Sequence, residues 1–124
     1  MKRFTFPLSR VMDWRRMQAR AEELKLEQLY AEIRRIDARA AELDEERSGS
    51  ERALIAAQES TGEEMAALGA FQRFTRAEQG RLEAKRVECG RKVAAQTLAV
   101  AARRRDARLI EKVRERRLAE WQRP

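Results

Sequence analysis

The densest group of residues that could do chemistry is a run of basic side chains near the end of the sequence. Eight of the fifteen residues at positions 103–117 are basic: Arg103, Arg104, Arg105, Arg108, Lys112, Arg114, Arg116 and Arg117. Clustered positive charge binds polyanions, so the run could engage nucleic acid, an anionic membrane surface or an acidic protein pore. The alternative is a solvated helix face whose charges are balanced by Asp106, Glu111 and Glu115.

The surroundings of this run favour a protein partner. Recognition of nucleic acid usually adds aromatic side chains or a known reading motif, and only Trp121 lies nearby. Insertion into a membrane interface needs a broad apolar face, which the run lacks. We therefore do not expect a nucleic-acid partner, and no stretch of the sequence is long and apolar enough to predict a transmembrane segment.

No other residues predict catalysis. The sequence has no histidine, its five glycines are scattered, and its single cysteine, Cys89, can form no disulfide within the chain. Neighbouring glutamates such as Glu22 and Glu23 diverge on a helix and do not form a catalytic pair. We expect a protein that is not an enzyme, has no cofactor and binds no metal, with Cys89 as a small residue in a helix seam.

The elements that must position these residues are two long helices. Charged residues make up 40% of the chain, whereas proline and glycine are scarce, a profile typical of long helices and coiled coils. A seam at alternating steps of three and four runs through the first half: Leu26, Leu29, Ile33, Ile36, Ala40, Leu43, Arg47, Ser50 and Leu54. So narrow a stripe needs a second helix beside it.

A turn near Gly62 supplies that second helix from the same chain. Ser60 and Thr61 each precede a glutamate by three residues, the spacing of a capping box. The prediction is an all-α single domain over residues 1–124, an antiparallel coiled-coil hairpin with one helix at about 8–58, a turn at about 59–63 and a second helix at about 64–121. A second, poorer seam includes Leu82, Cys89, Val93, Val100, Ala107 and Ile110.

Two details of the hairpin stay open or depend on a weaker pattern. Facing residues of an antiparallel pair have a constant sum of residue numbers, and Ile36 with Val93 (129) is as acceptable as Leu29 with Val93 (122).

Before Leu26, a looser apolar face is predicted to follow a different phase. Its members are Leu8, Val11, Trp14 or Arg15, Gln18, Ala21, and Leu24 or Lys25.

Charge is unevenly distributed along the chain. Residues 1–20 carry a net +5 and residues 91–124 a net +7, whereas residues 21–90 carry −5. A hairpin would bring both basic segments to one end, together with Trp14 and Trp121, which either pack there or anchor a partner. Phe71 and Phe74 follow the predicted turn and are equally open to packing or binding. Each end of the hairpin is predicted to have its own partner.

Three segments of the sequence resemble the FliJ family of flagellar type III export proteins. The opening Lys2–Met12 (KRFTFPLSRVM) is similar to the family's F-x-F-x-L-x-x-V-L start, and Phe71–Phe74 (FQRF) resembles its aromatic-Gln-x-Phe stretch. Leu109–Arg117 (LIEKVRERR) looks like its L-E-K-L-x-x-R-R segment. Many members continue with a charged tail beyond the point where this sequence stops, so contacts of such a tail are not carried over.

The resemblance implies a soluble stalk of the export apparatus, an antiparallel coiled coil similar to the rotor stalk of rotary ATPases. Its partners would be the ring of the export ATPase FliI, the cytoplasmic domain of the export gate FlhA, and export chaperones. By position, the ATPase-facing end would comprise Phe6, Leu8, Val11, Trp14, Arg15, Arg108, Lys112, Arg116 and Trp121. The gate-facing part would comprise Leu43, Arg47, Phe71 and Phe74.

The resemblance also implies a cytoplasmic protein held peripherally at the inner membrane with the export apparatus. Three alternatives stay open on the sequence alone. The same architecture could be the stalk of a virulence type III secretion system, a basic coiled coil that binds nucleic acid, or a scaffold that dimerises through its seam.

Overall fold

The chain is all α, and its two helices pack against each other as a helical hairpin, which confirms the predicted fold class. The structure is a computed structural model that describes residues 2–57 and 61–124. Helix α1 spans Ser9–Ala56 and helix α2 spans Gly62–Gln122. The predicted turn falls partly on residues 58–60, which lie outside the described residues. Gly62 and Glu63, also predicted as turn, already belong to α2.

The start of α2 follows from the capping pattern in the sequence. Thr61 accepts a hydrogen bond at its side-chain Oγ1 from the backbone N–H of Glu64, 3.1 Å away. This bond satisfies one of the amide groups that have no partner inside the helix. Glu63 and Glu64 also place negative charge in the first turn, where the helix dipole favours it. The predicted cap at Thr61 is therefore confirmed.

Contacts divide the hairpin into two compact units, and each contains a segment of both helices. Unit 2, Tyr30–Arg91, holds the apolar core of the strong seam. Its buried members are Ile36, Leu43, Leu82 and Cys89, with Ile33 and Ala40 packed against them. Burial of these side chains is the main stabilising term here. Cys89 is a buried free thiol, the seam role predicted for it.

Unit 2 also decides between the two registers. Asp37 pairs with Arg86, and Glu51 pairs with Gln72. The residue numbers sum to 123 in both pairs (37 with 86, 51 with 72). This value agrees with the register in which Leu29 faces Val93 and not with the one in which Ile36 faces Val93.

Unit 1 comprises residues 2–29 and Lys92–Pro124, and its core differs from the sequence prediction. The buried residues are Phe6, Met12, Ala19, Val100 and Ala107. The seam of α1 therefore does not change phase before Leu26. The same steps of three and four lead back through Glu22, Ala19, Arg15 and Met12, none of which is exposed.

The predicted looser face is wrong for most of its members. Leu8, Val11, Trp14 and Leu24 are exposed, as are Ala21 and Lys25, whereas only Arg15 and Gln18 are half-buried. The prediction failed because bulky apolar residues were assumed to lie on the buried face of α1. In unit 1 two of the seam positions are instead charged, and residues of α2 supply their polar partners. None of the described segments, 2–57 and 61–124, contains a helix long and apolar enough to cross a membrane.

Candidate partner-binding site

An aromatic and basic cluster lies where the N-terminal segment meets the last turns of α2 in unit 1. The rings of Phe4 and Trp121 have centroids 5.9 Å apart at a tilt of 53°. The guanidinium carbon of Arg114 lies 5.6 Å from the centroid of Phe4, and that of Arg117 lies 5.8 Å from the buried ring of Phe6. Cation–π attraction at these distances adds to apolar burial. The segment before α1 is thereby packed onto α2.

The basic run of α2 splits into ion-paired and unpaired side chains. Asp106 pairs with Arg15 of α1 at 3.5 Å and lies 4.0 Å from Arg103. Glu111 accepts a hydrogen bond from Nε of Arg16 at 2.8 Å. Two of the three acids that could balance the run are therefore bound to arginines of α1. Five exposed basic residues of the run have no ion pair among the described residues: Arg105, Arg108, Lys112, Arg116 and Arg117, of which Arg117 lies over the ring of Phe6.

Polar seam positions in unit 1 are satisfied across the two helices. Gln96 donates its side-chain amide to the backbone carbonyl of Glu22 at 2.9 Å and also to the carboxylate of Glu22. The hydrogen bond from Gln96 lowers the pKa of Glu22 below its ordinary value. Nε of Arg104 donates to Glu23 at 2.9 Å, and this bond lowers the pKa of Glu23. Both bonds join α1 to α2 and favour the ionised form of each carboxylate.

All nine residues predicted for the ATPase-facing end lie in unit 1, but they differ in exposure. Phe6 is buried, and Arg15 is half-buried in its pair with Asp106. Seven are exposed: Leu8, Val11, Trp14, Arg108, Lys112, Arg116 and Trp121. The structure thus brings basic and aromatic side chains into one unit, with Phe6 buried and Arg15 half-buried among them.

The four residues predicted for the gate-facing part all lie in unit 2. Leu43 is completely buried, so a partner at the surface does not reach it. Phe74 is exposed, whereas Phe71 and Arg47 are half-buried. Phe71 lines an apolar groove of about 430 Å³ with Leu54, Ala57 and Leu68 among its walls. Phe71 and Phe74 are therefore the members of this set that present apolar surface.

Beside this groove, Arg47 occupies a seam position within a polar network. Its guanidinium donates to Asp44 at 2.8 Å and lies 3.7 Å from Glu51, which in turn accepts a hydrogen bond from Gln72 at 2.9 Å. The bond to Asp44 raises the pKa of Arg47. Nε of Arg47 is buried without a hydrogen-bond partner in the described structure. A charged side chain thus replaces an apolar one in this layer of the seam.

Several residues of these surfaces were not identified from the sequence. Arg114 and Arg117 were assigned only to the basic run, although they stack on Phe4 and Phe6. An exposed apolar stripe on α1, formed by Trp14, Met17, Ala21 and Leu24, was also missed. The spacing of three and four residues is visible in the sequence. However, Trp14, Ala21 and Leu24 were predicted to belong to the buried looser face, and they are exposed.

The geometry of the two units offers exposed basic, aromatic and apolar side chains for binding other molecules. Over residues 2–57 and 61–124, no group of histidine, cysteine, aspartate and glutamate is arranged to hold a metal. Comparisons with protein-family models, with curated proteins and with solved structures find no match to this chain. The surfaces therefore have to be interpreted from their own chemistry.

Proposed function

We propose that this chain is a non-enzymatic stalk or adaptor of the flagellar type III export apparatus. In this role unit 1 engages the ring of an export ATPase of the FliI type, and unit 2 contacts the export gate and export chaperones. The observation that carries the proposal is the segregation of charge: unit 1 has 17 basic and 8 acidic residues, a net +9, whereas unit 2 has 11 basic and 13 acidic, a net −2.

The unpaired basic residues of α2 support the assignment of unit 1. A partner with an acidic surface gains most from cations that are not already neutralised within the chain, because no existing ion pair has to be broken. Arg108, Lys112 and Arg116 meet this condition, and Lys112 and Arg116 belong to the segment Leu109–Arg117 that resembles the FliJ family. Exposed Trp14 and Trp121 add the aromatic contacts that are frequent at interface hot spots.

The assignment of unit 2 depends on apolar surface. Phe74 is exposed, and the groove at Phe71 is open to a side chain from a partner. A gate or chaperone surface would cover the part of these rings that is still exposed, and removing that apolar surface from water would favour the complex. The chain would be cytoplasmic and would associate peripherally with the inner membrane through the export apparatus.

The test is binding to purified FliI-type ATPase, measured by co-elution and by the rate of ATP hydrolysis. We expect the chain to co-elute with the ATPase and to change its hydrolysis rate. The triple variant Arg108→Glu, Lys112→Glu, Arg116→Glu should lose both effects. A matched control, Arg34→Glu, Arg76→Glu, Lys85→Glu, reverses three exposed basic residues of unit 2 that have no ion pair in the described structure, and it should retain both.

Two results would contradict the proposal. One is that the unmodified chain neither co-elutes with the ATPase nor changes hydrolysis. The other is that both triple variants weaken binding equally, which would indicate a nonspecific charge effect. A parallel assay with an injectisome ATPase, together with the identity of neighbouring genes, separates the flagellar role from the equivalent stalk of a virulence system.

A further inference from the structure

Helix α2 has an exposed face in unit 1 on the side away from α1. Leu98, Arg105, Leu109 and Arg116 follow one another on it at steps of seven, four and seven residues. At about 100° per residue, all four lie within about 20° of one line along the helix, roughly half a turn from the buried side chain of Val100. Leu98 is 74% exposed and Leu109 is 58% exposed. At about 1.5 Å per residue the line is about 27 Å long.

The charge of this face is positive and is not neutralised within the chain. Within about 90° of the line, residues 94–119 include four basic side chains and one acidic one, Asp106. Asp106 is already paired with Arg15 of α1 at 3.5 Å. Glu115 lies just outside this sector, and Glu120 follows its end. The four basic residues have no ion pair in the parts of the chain that the structure describes: Arg105, Arg108, Lys112 and Arg116.

Three of these cations meet at one place on the surface. Arg105, Arg108 and Lys112 line a groove of about 270 Å³ together with Leu109. An anionic side chain that enters the groove comes close to three positive charges, and no existing ion pair has to be broken to receive it. The groove therefore favours a partner that carries carboxylates.

The two leucines in line with the cations indicate which kind of polyanion fits. Nucleic acid is held by positive charge together with aromatic side chains on which bases stack, and this line has leucines instead. An anionic membrane surface favours a broad apolar face, whereas Leu98 and Leu109 are the only bulky apolar residues exposed in this sector of residues 94–119. A second copy of the chain would bring together two units of net +9, which like charges disfavour. A helix with leucine-sized residues between acidic ones matches both the leucines and the cations.

We propose that this face of α2 docks an acidic amphipathic helix of the partner protein, which lies along the line from Leu98 to Arg116. Apolar side chains of that helix pack against Leu98 and Leu109. Its carboxylates pair with Arg105, Lys112 and Arg116. The inference rests on the proposed function for the identity of the protein that carries the helix, because part of this set of cations is already assigned to the export ATPase. It adds Arg105 and the two leucines to that site and states what the ATPase presents there.

The test measures binding of designed peptides to the full chain. The probe is a fluorescently labelled helical peptide of about three heptads, with leucine at its seam positions and glutamate beside them. One matched peptide has lysine in place of glutamate, and another has alanine in place of leucine. Fluorescence anisotropy gives the affinity of each. We expect saturable binding of the acidic peptide and affinity about tenfold lower, or weaker still, for each matched peptide.

Substitution of the leucines tests the apolar contacts. Leu98→Gln with Leu109→Gln leaves the charge unchanged and should weaken binding of the acidic peptide by about tenfold. The control is Met17→Gln with Leu24→Gln, which changes two exposed apolar residues of α1 in the same unit. It should leave the affinity within about twofold. Unchanged thermal melting of both double variants would show that each remains folded.

Substitution of the cations tests the ion pairs. Arg105→Gln with Lys112→Gln should weaken binding of the acidic peptide by about tenfold or more. The control, Arg34→Gln with Lys85→Gln, removes the same number of charges from exposed residues of unit 2 that have no ion pair in the described structure. It should leave the affinity within about twofold.

Four outcomes would overturn the inference. They are equal binding of the acidic and basic peptides, binding that the leucine substitutions do not change, binding of duplex DNA or of anionic lipid vesicles at physiological salt that Leu98→Gln with Leu109→Gln abolishes, and a dimer in light scattering that the same variant dissociates.

Co-elution with the ATPase separates failure of this inference from failure of the proposed function. If the unmodified chain and the variant Leu98→Gln with Leu109→Gln co-elute with the ATPase equally well, the proposed function stands and this inference is wrong. If the acidic peptide binds as expected and the ATPase does not co-elute, the docking face stands and the proposed function is wrong.

Discussion

Arg86 of α2 holds Asp37 of α1 by two hydrogen bonds across the helical hairpin. Nε of Arg86 donates to Oδ1 of Asp37 at 2.7 Å, and Nη2 donates to Oδ2 at 3.4 Å. A planar guanidinium facing a carboxylate in this way fixes geometry as well as charge. The pair lies on the surface beside the core of unit 2, and it specifies which residues of the two helices face each other.

This pair, together with the bonded carboxylates Glu22 and Glu23, predicts that the folded protein loses stability in acid. The bond from Arg86 lowers the pKa of Asp37 below its ordinary value of 3.8, and bonds from Gln96 and Arg104 lower those of Glu22 and Glu23 below 4.5. Because each folded-state pKa lies below the unfolded one, the stabilisation is complete above about pH 5 and is lost as pH falls through the folded values. Thermal melting followed by circular dichroism should give a lower Tm at pH 3 than at pH 7.

The variant Asp37→Asn tests how much of this loss of stability in acid comes from the pair between Asp37 and Arg86. It should lower Tm at pH 7 and narrow the difference between pH 7 and pH 3. The control is Glu42→Gln, which removes a pair with Arg39 inside α1 and should change Tm less. A Tm that is the same at both pH values would contradict the prediction.

Burial of Leu43 predicts the largest effect of a single core substitution. Leu43 is completely buried between the helices, next to Ile36 and Leu82. Leu43→Ala removes this contact and leaves a cavity, and it should lower the free energy of unfolding by about 2–5 kcal/mol in urea denaturation. Ile55→Ala is the control, because Ile55 is 83% exposed and its loss should cost little. Equal effects of the two substitutions would be inconsistent with the described core.

The cap at Thr61 predicts a smaller and local effect. Thr61→Ala removes the hydrogen bond to the N–H of Glu64 and should destabilise the chain by about 1 kcal/mol. Thr97 provides the matched control, since its hydroxyl donates to the carbonyl of Val93 within α2, an arrangement that does not favour a helix. Thr97→Ala should therefore cause no loss. Urea denaturation of both variants measures the difference, and a greater loss in Thr97→Ala would contradict it.

The sequence predicted the scaffold better than the surfaces. The seam from Leu26 to Leu54 and the cap at Thr61 follow from spacing alone, because local periodicity determines which helix face is buried. The seam before Leu26 was missed because Arg15 and Glu22 are charged, and only the positions of Asp106 and Gln96 on α2 show that they face a partner. The stacking of Arg117 on Phe6 likewise depends on how the N-terminal segment folds back, which no local pattern encodes.

Phe4 and Trp121 allow the packing of the N-terminal segment to be measured directly. Their ring centroids are 5.9 Å apart, and Trp121 is half exposed. In a chain with Trp14→Phe, Trp121 is the only tryptophan, so its emission reports on this contact. Phe4→Ala removes an aromatic neighbour and should shift the emission to longer wavelength and increase quenching by iodide or acrylamide. Phe74→Ala removes an exposed ring of unit 2 and should leave Trp121 unchanged. A spectrum unaffected by Phe4→Ala would show that the segment does not pack on α2 in solution.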